Sequence, residues 1–166
     1  FTKVEAFDVL AEISLKGHPE LERIKEEIVS ITNQGMDGSI SFRESLERRI
    51  ALLSPNKRHL EELVGVLKKL VSESFKRNKE FFQTYADYIY IISNGFHAFI
   101  DPVVTEFGIK PENILANRFH FDAQGNVIGF DKDNPLSENN GKVEQLKRLN
   151  LPGDVYVVGD GYTDYE

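Results

Sequence analysis

The sequence predicts an α/β fold in which a helical region precedes an open α/β sheet. Over roughly the first seventy residues, apolar side chains recur at helical spacing. Two later runs, residues 88–92 and 154–158, are short, apolar and rich in β-branched side chains. Such runs are typical of buried strands, and helical segments between them are the usual connections in an α/β sheet.

The helices of the first half are predicted from the spacing of apolar residues and from residues typical of helix ends. The apolar residues at helical spacing are Val4, Phe7, Leu10, Ile13, Leu21, Ile24, Ile28 and Ile31. Ser41 with Glu44 three positions later predicts a capping box for a helix that runs through Leu53. Pro55 interrupts the chain before a further helix over residues 57–71.

The second half alternates between strand and helix signals. We expect, in order, a strand at 88–92, a helix at 96–107, a hairpin at 118–130, a helix at 142–149 and a strand at 154–158. The hairpin follows from alternating apolar residues on both sides of a Gln-Gly-Asn turn.

Composition restricts the class of protein. The formal net charge of the 166 residues is −7 and no tract is basic, which argues against general nucleic-acid binding. Cysteine is absent, so a disulfide framework and a thiol nucleophile are excluded, and no apolar run has transmembrane length. These features favour a cytoplasmic protein without a membrane partner. Because the chain starts at Phe1 and stops directly after a glycine loop, we expect it to be an internal piece of a longer protein.

Asp160 and Asp164 follow the last predicted strand in a loop with two glycines. In open α/β sheets, ligands collect beyond the carboxyl ends of the strands. Two carboxylates there suit Mg²⁺, which prefers oxygen ligands and often binds phosphate as well. The alternative is an ordinary turn in which Asp164 lies near a helix N-cap.

Ser93, Asn94 and Gly95 follow the strand predicted at 88–92 and precede a predicted helix. A hydroxyl and the N–H groups of a helix start can bind an anion. The alternative is that Ser93 or Asn94 only caps the helix. Lys142 also begins a predicted helix, where its charge opposes the helix dipole. It would be favoured there by a phosphate or a carboxylate, although a solvated surface lysine is the competing interpretation.

In the order Ser93, Lys142, Asp160-x-x-x-Asp164, these features resemble the second to fourth motifs of the haloacid dehalogenase superfamily. Within it, the phosphoserine phosphatases are most similar, including forms fused to phosphoglycerate dehydrogenase. The likeness covers nearly the whole chain. Further segments that fall in the order of the family are Glu5 and residues 35–38, 41–49, 116–118 and 159–161. The likeness implies a doubly wound, Rossmann-like haloacid dehalogenase core with an inserted helical cap. The chain would then divide into a core segment at 1–8, the cap at 9–72 and the α/β core at 73–166.

The resemblance also implies roles for the phosphate site. The family's first motif, Asp-x-Asp-x-Thr, which supplies the nucleophile, would precede Phe1. Ser93 and Lys142 would then hold the phosphoryl group, and Asp160 and Asp164 would bind or support Mg²⁺. Two residues depart from the family pattern: Asn94 stands where many relatives have glycine, and Thr163 where phosphoserine phosphatases usually have Asn.

For the substrate, the resemblance places Glu5 near the amine, Arg49 on the carboxylate, and Met36 and Phe42 in an apolar wall. Asn94 and Gly95 join the phosphate-binding loop. As alternatives, Glu5 and Arg49 are solvated helix charges, and Met36 and Phe42 are core residues of the helical bundle.

The function implied is Mg²⁺-dependent hydrolysis of O-phospho-L-serine through an aspartyl phosphate. The alternatives are a related phosphatase for another small phosphate, and a non-catalytic phosphate-sensing or interaction domain. The expected partner is a phosphorylated amino acid. The likeness is also compatible with a fused or associated dehydrogenase domain and with a homodimer.

Overall fold

The computed structural model describes residues 1–2 and 4–159. Its helices are α1 (Ala6–Ser14), α2 (Leu21–Met36), α3 (Phe42–Leu53), α4 (Lys57–Lys69), α5 (Glu73–Arg77), α6 (Lys79–Thr84), α7 (His97–Val104) and α8 (Gly141–Leu149). Its strands are β1 (Ile91–Phe96), β2 (Ile114–Asn117), β3 (Phe119–Phe121) and β4 (Val127–Phe130). Short 3₁₀ turns occupy Thr105–Phe107, Pro111–Asn113 and Pro135–Ser137. This part of the chain is therefore a mixed α/β structure, mostly helical, with small sheets.

The helices predicted in the first half are present, and their ends have the predicted chemistry. Ser41 caps α3, because its Oγ accepts a hydrogen bond of 3.1 Å from the backbone N–H of Glu44. Asn56 caps α4 in the same way through the N–H of His59, at 3.1 Å. Helix α4 ends at Lys69, two residues before the predicted end. Helices α5 and α6 have no counterpart in the sequence prediction.

One hydrophobic core joins the helical bundle to the sheets. It includes the fully buried Leu10, Leu53 and Leu63 of the bundle and continues to Phe96 at the end of β1. The ring of Phe96 lies nearly parallel to that of Phe119, with the centroids 3.7 Å apart. The bundle therefore packs directly against the strands. The proposed boundaries at residues 8 and 72 stay predictions.

The parallel sheet differs from the prediction in position and size. Strand β1 begins at Ile91 rather than at residue 88, and Tyr88 is 81% exposed. Strand β2, which was not predicted from the sequence, pairs with β1 in parallel from Ile91↔Ile114 to Phe96↔Asn117. An apolar run becomes a strand only where a neighbour accepts its hydrogen bonds, and β2 begins at Ile114, opposite Ile91.

The predicted hairpin is present as the antiparallel pair β3 and β4. It is attached to the junction between α3 and α4 by two backbone hydrogen bonds of 2.9 Å, from Lys57 N–H to the carbonyl of Gly125 and from Val127 N–H to the carbonyl of Pro55. The hairpin thus links the bundle to the α/β part.

The strand predicted at 154–158 is wrong for this structure: residues 151–159 form neither helix nor strand. Val158 is 96% and Tyr156 87% exposed. Strand propensity reflects packing on a paired, half-buried surface, and no strand of the described chain pairs with this run. Among the described residues, no helix is both long enough and apolar enough to cross a membrane.

Candidate functional site

The segment Ser93-Asn94-Gly95 lies inside β1, at an irregularity in its pairing with β2 between Ile92 and Phe96. This corrects the prediction that it follows the strand and opens the next helix, since α7 begins only at His97. The backbone N–H of Gly95 donates to Ser93 Oγ at 3.1 Å. A Cβ at position 95 would lie 2.9 Å from Ile100 Cδ1 and 3.3 Å from Ser93 Oγ, so a side chain would crowd this donor and hydroxyl.

A buried asparagine on the neighbouring strand β2 binds the backbone of this irregular segment. Asn117, the last residue of β2, is fully buried, and its Nδ2 donates to the carbonyl of Asn94 at 2.8 Å and to that of Leu136 at 3.0 Å. The side chain of Asn94 also donates to the Leu136 carbonyl, at 2.8 Å. The segment is therefore tied to the Pro135–Ser137 turn.

Asn134 and Ser137 complete the network around that turn. Asn134 Oδ1 accepts from Leu136 N–H at 3.0 Å, and its Nδ2 donates to the Ala116 carbonyl at 2.8 Å. Ser137 is fully buried and donates its hydroxyl to the Asn134 carbonyl at 2.8 Å. No role for Asn117, Asn134 or Ser137 was predicted from the sequence. Asn117 lies in the segment 116–118 that contributes to the family likeness, but a polar residue at the end of a short apolar run does not distinguish a buried amide from a surface one.

The same turn positions the start of α8, which carries Lys142. At Gly141 a Cβ would lie only 2.0 Å from the Pro135 carbonyl oxygen, so the helix start rests directly on the turn. Helix α8 also contacts β1. Lys142 is the second residue of α8, at the predicted helix start. The structure thus brings the two elements that carry Ser93 and Lys142 together.

Arg49 and Glu5 lie near each other at the junction of α1 and α3. Arg49 is half-buried; its Nε donates to the Ser45 carbonyl at 3.2 Å and its Cζ lies 4.9 Å from the centroid of Phe7. Burial lowers the pKa of Arg49 to about 10, whereas the negative charges of Glu5 and Asp8 act in the opposite direction. The guanidinium is therefore positively charged at neutral pH, with Glu5 within its electrostatic range.

The two residues of the predicted apolar wall differ in exposure. Met36 ends α2 and is 70% exposed, while Phe42 begins α3 and packs against the core. The N–H of Phe42 donates to Asn139 Oδ1 at 2.9 Å, two residues before α8. Arg43 pairs with Glu138 and donates to the Lys132 carbonyl. The start of α3 is thereby held against the loop that precedes Lys142.

The predicted metal ligands, Asp160 and Asp164, lie outside the described residues. Among the residues that are described, no three His, Cys, Asp or Glu side chains form a group that could hold a metal ion. These residues do not make up a Mg²⁺ site by themselves, and the Mg²⁺ ligands stay a prediction. The roles of Ser93, Lys142, Glu5, Arg49, Met36 and Phe42 likewise stay predictions.

The comparisons with known proteins agree with the motif order. Residues 5–166 match the model for haloacid dehalogenase-like hydrolases. The chain is 32% identical to the chloroplastic phosphoserine phosphatase of Arabidopsis thaliana, over 98% of this chain and 53% of that protein. It is 29% identical to the phosphoserine phosphatase of Drosophila melanogaster, over 98% of this chain and 58% of that protein. The chain thus spans somewhat more than half of these relatives.

One solved structure supports the same assignment, and a second shares the fold. A phosphoserine phosphohydrolase-like protein from Francisella tularensis superposes with a TM-score of 0.80 at 31% identity, covering 99% of this chain and 75% of that one. A substrate-bound phosphoserine phosphatase complex superposes with a TM-score of 0.57 at 21% identity over 89% of this chain and 64% of that one, a likeness of fold alone. The chain belongs to the haloacid dehalogenase-like hydrolases, in the family of the phosphoserine phosphatases.

Proposed function

We propose that the protein containing this chain is a Mg²⁺-dependent phosphomonoesterase that hydrolyses O-phospho-L-serine. Membership of the hydrolase family supports the reaction class. The nucleophilic aspartate would come from residues that precede Phe1, with Asp160 and Asp164 serving the metal. Mg²⁺ would neutralise phosphate charge when bound. We propose a cytoplasmic location and a doubly wound core with an inserted cap for the same protein.

The contacts around β1 and α8 are suited to holding a phosphate. Ser93 Oγ and the Gly95 N–H lie together on one strand, and the helix that starts with Gly141 and Lys142 packs on that strand. Phosphoryl transfer depends mainly on positioning and charge stabilisation, which a hydroxyl, a backbone donor and an ammonium group supply.

The proximity of Glu5 to Arg49, close enough for the charge of Glu5 to act on the guanidinium, is the observation that supports phosphoserine as the substrate. An amino-acid phosphate has a carboxylate and an ammonium group that other small phosphates lack. Arg49 is held by Phe7 and by the Ser45 carbonyl, which leaves a planar guanidinium suited to bidentate carboxylate binding. Glu5, whose charge acts on Arg49, is the matching group for the amine.

The test is phosphate release by the longer protein, with L-phosphoserine, phosphocholine and an aryl phosphate as substrates, before and after removal of Mg²⁺ by a chelator. We expect Mg²⁺-dependent turnover with a preference for phosphoserine. A preference for phosphocholine or equal rates on all three would favour a phosphatase for another small phosphate. No turnover of any substrate in the presence of Mg²⁺ would favour the non-catalytic domain.

A further inference from the structure

Asn117 makes contacts that reach both parts of the proposed phosphate site. Its two Nδ2 hydrogens are directed at carbonyl oxygens from distant parts of the chain, Asn94 on β1 and Leu136 in the turn before α8. In a carboxamide only the NH₂ group donates hydrogen bonds, so the two carbonyl partners determine the orientation of the Asn117 side chain.

The bond to the Asn94 carbonyl controls a donor on the opposite side of the same peptide unit. The peptide group between Asn94 and Gly95 is planar and trans, so its C=O and N–H point in opposite directions. Holding the Asn94 oxygen against Asn117 therefore directs the Gly95 N–H away from Asn117. That N–H is the group that meets Ser93 Oγ at 3.1 Å.

The bond to the Leu136 carbonyl acts on the other part of the site. Leu136 lies in the turn on which Gly141 rests, and Gly141 directly precedes Lys142. Asn117 thus bridges the strand that carries Ser93 and the turn that supports the start of α8.

The carboxamide of Asn117 makes its hydrogen bonds through Nδ2 alone. Asn117 is 0% exposed, and its Oδ1 has no hydrogen-bond partner. A buried acceptor without a partner costs free energy that an apolar side chain of similar size would avoid. The contribution of this side chain therefore lies in the two bonds that Nδ2 donates to the Asn94 and Leu136 carbonyl groups.

We propose that Asn117 is a positioning residue of the phosphate site, which aims the Gly95 N–H and Ser93 Oγ and sets their position relative to the start of α8. This inference rests on the proposed function, because it assigns Asn117 to the same site. Asn117 would affect the binding of the phosphate group, which phosphoserine shares with every phosphate ester, and not the binding of the amino-acid part of the substrate.

Asn113 offers a matched control at the other end of β2. It is also buried, at 6% exposure, and its Nδ2 also donates to two carbonyl oxygens, those of Ala86 at 3.1 Å and Ile89 at 3.2 Å. It directly precedes β2, whereas Asn117 ends it, which separates the two by about 13 Å along an extended strand. Asn113→Ala removes the same chemistry at the opposite end of β2.

The experiment compares Asn117→Ala with Asn113→Ala in the longer protein. Thermal unfolding, kcat and KM on phosphoserine and an aryl phosphate, and calorimetric binding of inorganic phosphate are measured for each. We expect both variants to lose similar stability. Only Asn117→Ala should lose about 10- to 100-fold in kcat/KM, equally on both substrates, and bind inorganic phosphate more weakly.

Asn117→Ser is the second variant if Asn117→Ala does not fold, because it leaves room for water beside the two carbonyl groups. The proposal is overturned if a folded Asn117 variant keeps wild-type phosphate affinity and turnover. It is also overturned if Asn113→Ala loses as much phosphate affinity and turnover as the Asn117 variant does. Absence of turnover by the wild-type protein would instead reject the proposed function. In that case a wild-type protein that binds inorganic phosphate, with weaker binding in the Asn117 variant alone, would still support the positioning role.

Discussion

The guanidinium of Arg49 lies over the aromatic ring of Phe7, with Cζ 4.9 Å from the ring centroid. The two residues belong to α3 and α1, so the contact fixes an arginine of one helix against the helix that begins beside Glu5. A cation on an aromatic face keeps its edge available for hydrogen bonds. The Arg49 side chain is thus held in place before any substrate carboxylate binds.

Arg49→Ala should reduce kcat/KM for phosphoserine far more than for an aryl phosphate, because only phosphoserine has the carboxylate assigned to Arg49. Loss of a charge-assisted pair in a closed pocket costs on the order of 2–5 kcal/mol. Steady-state kinetics of the longer protein on both substrates measure the difference. Arg49→Lys should recover only part of the loss, since an ammonium group cannot form the bidentate contact.

Arg48→Ala is the control for that variant. Arg48 is exposed and pairs with Glu44 on the surface of α3. A solvent-exposed ion pair contributes little, about 0.3–0.5 kcal/mol within a helix, so both substrates should be turned over at close to wild-type rates. Equal losses on the two substrates in Arg49→Ala would show that Arg49 serves the fold or the phosphate instead.

Gly141→Ala should displace the start of α8 and lower stability by about 1–3 kcal/mol, the usual cost of forcing an extra methyl group into a packed site. The added Cβ would lie 2.0 Å from the Pro135 carbonyl oxygen, which is backbone and cannot rotate away. Urea unfolding measures the loss.

Gly65→Ala provides the comparison, because Gly65 lies within α4 and a Cβ there would meet nothing within 4 Å. It should raise stability by up to about 1 kcal/mol through helix propensity. If the Gly141→Ala protein were as stable as the Gly65→Ala protein, the backbone of the turn at Pro135 would be able to move away from the added methyl group without a measurable loss of stability.

Ser41→Ala should destabilise the protein by about 1 kcal/mol, since it removes the side-chain acceptor for the Glu44 N–H at the start of α3. Ser72→Ala is matched to it: Ser72 precedes α5 as an N-cap but makes no side-chain capping bond. Thermal unfolding should therefore show a lower Tm for Ser41→Ala alone. Identical shifts would mean that α3 does not depend on its cap.

Asp122 in the β3–β4 turn should titrate below its ordinary value. Its pKa is lowered by the Asn126 side chain, which donates at 2.9 Å, and by the Asn126 backbone N–H at 2.8 Å. Because the folded pKa is depressed, this contribution to stability is present above the ordinary pKa of an unfolded aspartate and is lost as the pH falls through the folded value. Carbon NMR titration of the Asp122 carboxyl group checks the direction.

Asn126→Ala supplies the matched measurement for Asp122. It removes the side-chain donor and leaves the backbone donor, so the pKa of Asp122 should move up part of the way to its ordinary value. An unchanged titration would assign the shift to the backbone of the turn alone.

Features that depend on near neighbours in the chain could be predicted from sequence. The spacing of Leu10 and Ile28 with their neighbours predicts α1 and α2, Ser41 with Glu44 predicts the capped start of α3, and the Gln-Gly-Asn turn predicts the β3–β4 hairpin. These signals act within one turn of helix or across one tight turn, so the local sequence contains most of the information needed. The order of the motifs was also sufficient to indicate the family.

The strands and the support of the site depended on contacts between distant residues. Residues 154–158 have strand composition but no strand, and β1 begins at Ile91 because its partner β2 begins opposite that residue. Asn117, Asn94 and Leu136 are joined by hydrogen bonds between positions 19 to 42 residues apart. Whether an amide is buried, and which carbonyl groups it meets, is decided by how the elements pack. Sequence therefore indicated helices α1 to α4, α7 and α8, the hairpin and the candidate site residues, while tertiary packing decided that β1 pairs with β2, that α5 and α6 form, and which buried side chains support the site.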